Sequence, residues 1–308
     1  MAFSLAPRKT SCYRNRIVEP SRLVQIIHAE YGRRIALVRG SELHLLSTYR
    51  TAYHFATVAL ELGTPLRELL STDLSGIVLN YDDVHALRSG WRFLPSFDHP
   101  QDVSLCVVSG CANAHTGTHD GRPDAPPWFF KGNGAHLRAH GEALTIPTFA
   151  VGGAEEAELA GVWIIAPYGK PVRIGLTPGN EFADPAMASA NPSLLSHAKL
   201  RTCSIGPELV LDGDFSDVGG LVRIERSGKR IWSREVVTGE HHTQFTLAEV
   251  EEHLFKYITH RVPGNVHIHY LGGSVSSYVD GIRLEDRDQV VVEWDGFGRP
   301  LRNVIERL

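Results

Sequence analysis

The stretch 155–182, EEAELAGVWIIAPYGKPVRIGLTPGNEF, decides the fold. After an acidic opening it holds a continuous apolar run at 159–166 and a second β-rich run at 172–176, with Pro and Gly between them. Runs of that length, bounded by turn residues, read as buried strands. In a strand, residues i and i+2 point to one face, so Glu156 and Glu158 project together. Two adjacent carboxylates repel and need a cation or a shared proton. A hard divalent ion such as Mg²⁺ or Mn²⁺ takes oxygen ligands of this kind; the alternative is a solvated acidic edge. Gly179-Asn180-Glu181-Phe182-Ala183-Asp184 follows the second run and precedes Pro185, which places it at a strand end or turn. A carboxylate there can complete a three-carboxylate site, or Asn and Asp can simply supply local hydrogen bonds to a turn.

The same texture continues outward. Short β-rich runs at 103–108, 209–211, 221–226, 229–237, 266–271 and 289–294 are separated by Gly and Pro. Two helical stretches interrupt them, 192–199 and 246–260. The second opens with Thr246 and Glu249, a capping-box spacing, and its period puts Val250, Leu254 and Tyr257 on one face. Before residue 104 the pattern changes: strands at 22–27, 34–38 and 43–46, then a helix over 51–62 that stops at Gly63-Thr64-Pro65, a short helix at 66–70 and a connector at 94–100. We therefore expect a flexible tail over 1–20, a small N-terminal domain over 21–104 and a larger domain over 105–308. The fold class is α+β, mainly β, with strands rolled into sandwiched sheets.

Composition narrows the function. The 308 residues carry a net charge of -4, which gives no electrostatic reason to expect a nucleic acid or an anionic membrane as partner. No apolar run approaches the roughly 18 residues of a membrane span. Arg8, Lys9, Arg14 and Arg16 give the tail a basic character without the apolar core of a signal peptide. Cys12, Cys106, Cys111 and Cys203 form no C-x-x-C pair, and Cys106 and Cys203 read as core thiols. A reducing compartment, the cytoplasm, is the expectation. No G-x-G-x-x-G follows a strand and no P-loop is present, so nucleotide binding has no support.

Two further segments carry candidate chemistry. In Ser196-His197-Ala198-Lys199-Leu200-Arg201, Lys199 reads either as a surface helix cap or as a site cation. In Asn113-Ala114-His115-Thr116-Gly117-Thr118-His119-Asp120, the four-residue histidine spacing suits zinc only on a helix, and Gly117 with its flanking threonines argues against one. A single general-base histidine is the better reading there. His267 and His269 share a strand face, and His241 and His242 lie in a loop; all four read as structural.

Taken in order, these segments resemble the fumarylacetoacetate hydrolase superfamily. The likeness runs from Pro127-Trp128-Phe129-Phe130-Lys131-Gly132 through Ile146-Pro147, Glu156-x-Glu158 and Gly179-Asn180-Glu181 to Cys203-Ser204-Ile205-Gly206-Pro207. It closes on Gly296-Phe297-Gly298-Arg299-Pro300-Leu301-Arg302-Asn303. Within the superfamily the chain is most similar to the sugar-acid branch, the 2-keto-3-deoxy-pentonate dehydratases, on 179–182, 196–201, 232–240 and Lys256-Tyr257 with Arg261-Val262-Pro263-Gly264. The N-terminal segment from Arg22 also resembles that branch's small leading domain.

The resemblance implies a mixed β-sandwich roll and a Mg²⁺ or Mn²⁺ ion held by Glu156, Glu158 and Glu181. It also implies an active-site lysine at Lys199, a lid histidine at His115 and a motif lysine of unassigned role at Lys131. Homodimers are common in the family. Two departures stand out: Thr118 occupies the place where hydrolase relatives carry a glutamate, and 119–127 is shorter than the lid segment of the sugar-acid branch. The implied activity is a metal-dependent lyase, a dehydratase working through a metal-stabilised enolate of a 2-oxo acid such as a 2-keto-3-deoxy sugar acid. A C–C bond hydrolase or decarboxylase of an acylpyruvate-like substrate is the alternative, with His119 or Asp120 replacing the missing glutamate. A non-catalytic binding protein on the same fold is the third possibility.

Overall fold

The computed structural model describes residues 20–112 and 124–308. His115, Thr118, His119, Asp120 and the basic tail with Cys12 lie outside the described residues.

The long strand Ala157–Ala166 lies deep in the structure, buried along almost its entire length. That burial explains why its sequence is continuously apolar rather than alternating: both faces are covered. Its odd positions, Leu159, Trp163 and Ile165, pack toward one core with Val222, Trp294 and Phe255. Its even positions, Ala160, Val162 and Ile164, pack toward another with Phe55, Ile268 and Tyr270. Gly161 is needed between them, because a Cβ there would lie 2.1 Å from the Trp163 ring.

The strand pairs antiparallel with Lys170–Asn180 on one side and Val266–Tyr270 on the other. Outward from the first lie Glu208–Val210, Arg22–His28, Gly32–Arg39, Glu42–Leu46 and Leu74–Asn80; outward from the second lie Cys106–Cys111 and Trp128–Asn133. With short side branches these make a 13-stranded sheet. The N-terminal strands therefore extend the large sheet, through Arg22↔Val210 and its neighbours. A five-stranded sheet, in the order Lys229–Thr238, Val218–Arg226, Gln289–Trp294, Leu301–Arg307 and Ala143–Ile146, covers the face that carries Leu159 and Trp163. The mainly β fold class read from the sequence is what the structure shows.

The helices follow their local signals. Thr51 accepts from the His54 N–H to cap Ala52–Leu62, which buries Ala52, Phe55, Ala56 and Ala59 and ends at Gly63 in the left-handed region, φ 63°. Thr246 and Glu249 form the expected capping box on Leu247–Phe255. That helix ends at Phe255, five residues before the expected end at 260: Val250 and Leu254 are buried, but Tyr257 lies beyond the end and is 48% exposed. Residues 192–199 split into a 3₁₀ turn, Pro192–Leu194, and a short helix, Leu195–Lys199. Likewise 103–108 divides into a 3₁₀ turn, Val103–Leu105, and a strand that begins only at Cys106. Cys106 and Cys203 are buried core thiols, as is Cys111. No helix among the described residues is long and apolar enough to cross a membrane.

Candidate metal centre

Register brings the carboxylates together. Glu158 stands opposite Gly179, and Ala157 opposite Asn180. One step further out, the Glu181 N–H donates to the Glu156 carbonyl at 2.9 Å, so Glu156 and Glu181 face each other just past the strand ends. With the period of two, Glu156, Glu158 and Glu181 share one face. Each offers an oxygen within 4.8 Å of the others. Asn180 braces the turn, its Oδ1 accepting from the Glu156 and Phe182 N–H groups at 3.2 Å each.

Three carboxylates in this space are costly. Glu158 and Glu181 are fully buried; Glu156 is the partly open one. Burial, and then the Glu181 and Glu156 charges, push the Glu158 carboxyl well above its ordinary range. Burial likewise raises Glu181 to about 7, although Lys131 and Lys199 pull against it. Glu158 Oε2 accepts the Gly272 N–H at 2.7 Å. Nearby, Glu155 accepts from the Ser277 N–H at 2.6 Å and its hydroxyl at 2.7 Å, pinning the loop that starts at Gly272.

Two lysines answer the charge. Lys199 ends the short helix Leu195–Lys199, and its Nζ lies 2.6 Å from Glu156 Oε1 and in direct contact with Glu181 Oε2. Burial acts to lower the Lys199 pKa, but the Glu156, Glu181 and Glu158 charges outweigh it and hold the ammonium firmly charged. Lys131 comes from the edge strand Trp128–Asn133. There Val108 pairs with Gly132 and Ser109 with Phe130, so Lys131 is the extra residue of a β-bulge. Its fully buried Nζ donates to the Phe182 and Lys199 carbonyls at 2.7 and 2.9 Å. It also lies 2.6 Å from Glu181 Oε1, a pair held by charge, since that oxygen makes no aligned hydrogen bond.

Glu156 and Lys199 line a cleft of about 290 Å³, with Ala112, Ala183, Asp184, Pro185 and Leu195 among its other walls. Lys131 is not part of that lining; it is fully buried against Glu181. The five expected residues inside the described region thus converge. Asn180 makes the local turn hydrogen bonds that the sequence offered for it. Sequence reasoning missed Gly272 and the Glu155–Ser277 clamp, of which only Glu155 left a signal, as the third acid of the opening run. The donor set fits a hard divalent cation: carboxylate oxygens, two of them buried where only a cation or protons can offset their charge.

No family model matches the chain, and no curated protein sequence does. The structure, in contrast, has the fold of fumarylacetoacetate hydrolase superfamily enzymes. A 2-keto-3-deoxyarabinonate dehydratase matches over 93% of this chain and 99% of its own, with a TM-score of 0.72 and 17% identity. A 2-keto-3-deoxy-D-arabinonate dehydratase complexed with magnesium and 2,5-dioxopentanoate matches with a TM-score of 0.71 and 19% identity, again over 93% and 99%. A 5-carboxymethyl-2-hydroxymuconate delta-isomerase from Mycobacterium smegmatis gives 0.61 and 18%, over 93% and 100%. At these identities the likeness is one of fold.

Proposed function

We propose that the protein is a divalent-metal-dependent lyase that dehydrates a 2-oxo acid, a 2-keto-3-deoxy sugar acid being the substrate class. The observation that carries this reading is the convergence of Glu156, Glu158 and Glu181 within 4.8 Å, beside Lys199 at the wall of a cleft. The dehydratase structure with magnesium and a dioxo acid supports the choice of reaction.

Glu156, Glu158 and Glu181 would hold Mg²⁺ or Mn²⁺, which supplies Lewis-acid polarisation of the substrate's keto group and so eases loss of a C3 proton. Lys199 Nζ is the candidate to take that proton. The carboxylate charges of Glu156, Glu181 and Glu158 hold it charged, so it can serve as a base only where those charges are offset. His115, three residues beyond the cleft residue Ala112 in sequence, is the proposed acid that protonates the departing C4 hydroxyl, so that water leaves as the C3–C4 double bond forms; loss of a C5 proton and reprotonation at C3 then convert the resulting 5-hydroxy enone, through its C4–C5 enol, into the dioxo acid. General acid–base help of this kind contributes on the order of 10²–10⁴-fold. The role proposed for Lys131 is to hold Glu181 in place. A homodimer in the cytoplasm is the proposed state.

The test is turnover of 2-keto-3-deoxyarabinonate by protein supplied with Mg²⁺, followed by NMR. Formation of the dehydrated dioxo acid, abolished by EDTA, supports the reading. Carbon–carbon cleavage of an acylpyruvate, or release of carbon dioxide, would replace it with the hydrolase or decarboxylase alternative. Inert protein across all these 2-oxo acids would leave only a binding role.

A further inference from the structure

The two lysines are built differently. Lys131 is fully buried, on a bulge of a strand, and tied to two backbone carbonyls and to Glu181. Nothing can remove it without opening the core. Lys199 makes its only side-chain hydrogen bonds among the described residues to Glu156 and Glu181, the two carboxylates that face each other across the register. Its side chain is 8% exposed and forms part of the cleft wall, with its ammonium 5.0 Å from the Phe129 ring centre. Its own carbonyl is gripped by Lys131. The backbone is therefore anchored while the side chain has open space beside it.

Resting on the metal-site reading above, we propose that Lys199 is a place-holding cation. Its ammonium fills the carboxylate cluster in the metal-free protein, and it swings into the cleft when a divalent ion takes the carboxylates, which delivers it to the substrate side. Lys131 stays in place as the permanent counter-charge of Glu181. The physical reason is crowding of like charge: an ammonium in contact with both Glu156 and Glu181 cannot keep that position once a divalent cation shares the same oxygens. Binding and placement of the base then become one event.

The test is amine footprinting of the wild-type protein by mass spectrometry, with and without Mn²⁺, whose binding is followed separately by electron paramagnetic resonance. Saturating Mn²⁺ should raise the labelling rate of Lys199 by about tenfold or more, with Lys131 protected throughout. As a second measurement, Lys199→Met should bind Mn²⁺ more tightly than wild type, because the competing cation is gone. Mn²⁺ bound by wild type with Lys199 labelling unchanged would overturn the exchange while leaving the metal site intact. Absence of Mn²⁺ binding by both proteins would instead remove the metal-enzyme reading on which it rests.

Discussion

Two i, i+2 pairs of polar residues lie on neighbouring strands of the same sheet, and they have opposite characters. Glu156 and Glu158 open Ala157–Ala166; His267 and His269 lie on Val266–Tyr270, where His269 pairs with Gly161 and His267 with Trp163. Glu158, His267 and His269 are buried, and Glu156 is partly open. The glutamates gather a third carboxylate and two lysines into an ionic cluster on a cleft. The histidines do the reverse: burial lowers His267 to about 4 and His269 to about 3, so both stay neutral. His269 pairs with Ser109 Oγ at 2.8 Å and Cys111 Sγ at 3.3 Å, and His267 packs against the Phe255 and His260 rings. Spacing alone does not make a site. The histidines neutralise themselves by losing a proton and are absorbed into the core, whereas the clustered carboxylates need protons, lysines or a metal cation to offset their charge.

The largest expected effect separates the two pairs outright. Glu158→Gln should weaken Mn²⁺ binding by more than about a hundredfold, since loss even of groups that support a ligand costs 10–100-fold. His269→Gln should leave it within about twofold. Titration calorimetry reads both, and equal losses would erase the distinction.

The next effect concerns the metal-free state. Glu158→Gln removes a buried acid whose carboxyl is pushed upward, and it keeps an acceptor for the Gly272 N–H. The variant should melt several degrees higher than wild type in EDTA, the usual exchange of function for stability. A lower melting point would mean that the carboxylate is already stabilised without metal.

The pH response should have two limbs with different sensitivities. Glu155 and Glu181 are raised to about 7, so their contribution is fully present below about 4.5 and lost as pH rises to 7. His267 and His269 are lowered, so theirs is present above about 6.5 and lost as pH falls toward 4 and 3. Metal-free protein should be most stable at roughly pH 5 to 6. Mg²⁺ should offset the loss on the alkaline side, where its ligands are deprotonated, and leave the acid side unchanged; denaturant melts across pH decide this. The smallest effect is local. Neither ring nitrogen of His267 makes a hydrogen bond among the described residues, so His267→Phe should stabilise the protein by about 1 kcal/mol. Destabilisation would reveal a buried partner.

Much of this was legible in the sequence because its causes are local. The continuous run at 159–166, the Thr246–Glu249 box and the Gly63 stop each carry their own physics, and Glu156 with Glu158 follows from the strand period. The residues alone offered a third carboxylate from 179–184, and only the resemblance singled out Glu181, because its position depends on the register of two strands. Lys131 could not be placed because its aim comes from a bulge against Ser109 and Val108. Leu74–Asn80, an edge strand with exposed Ile77 and Val78, lacks the alternation that marks a half-buried strand. The Gly272 and Ser277 contacts join positions more than a hundred residues apart, which no local pattern encodes.

The central claim is that the Glu156–Glu158–Glu181 cluster is a working divalent-metal site for a 2-oxo acid. Thermal unfolding of EDTA-treated protein with Mg²⁺ or Mn²⁺, with and without oxalate, tests it most directly, because ligands of the native state raise its melting point by mass action. The account predicts a metal-dependent rise that oxalate enlarges and that Glu158→Gln abolishes. A melting point indifferent to both metal and oxalate would contradict it.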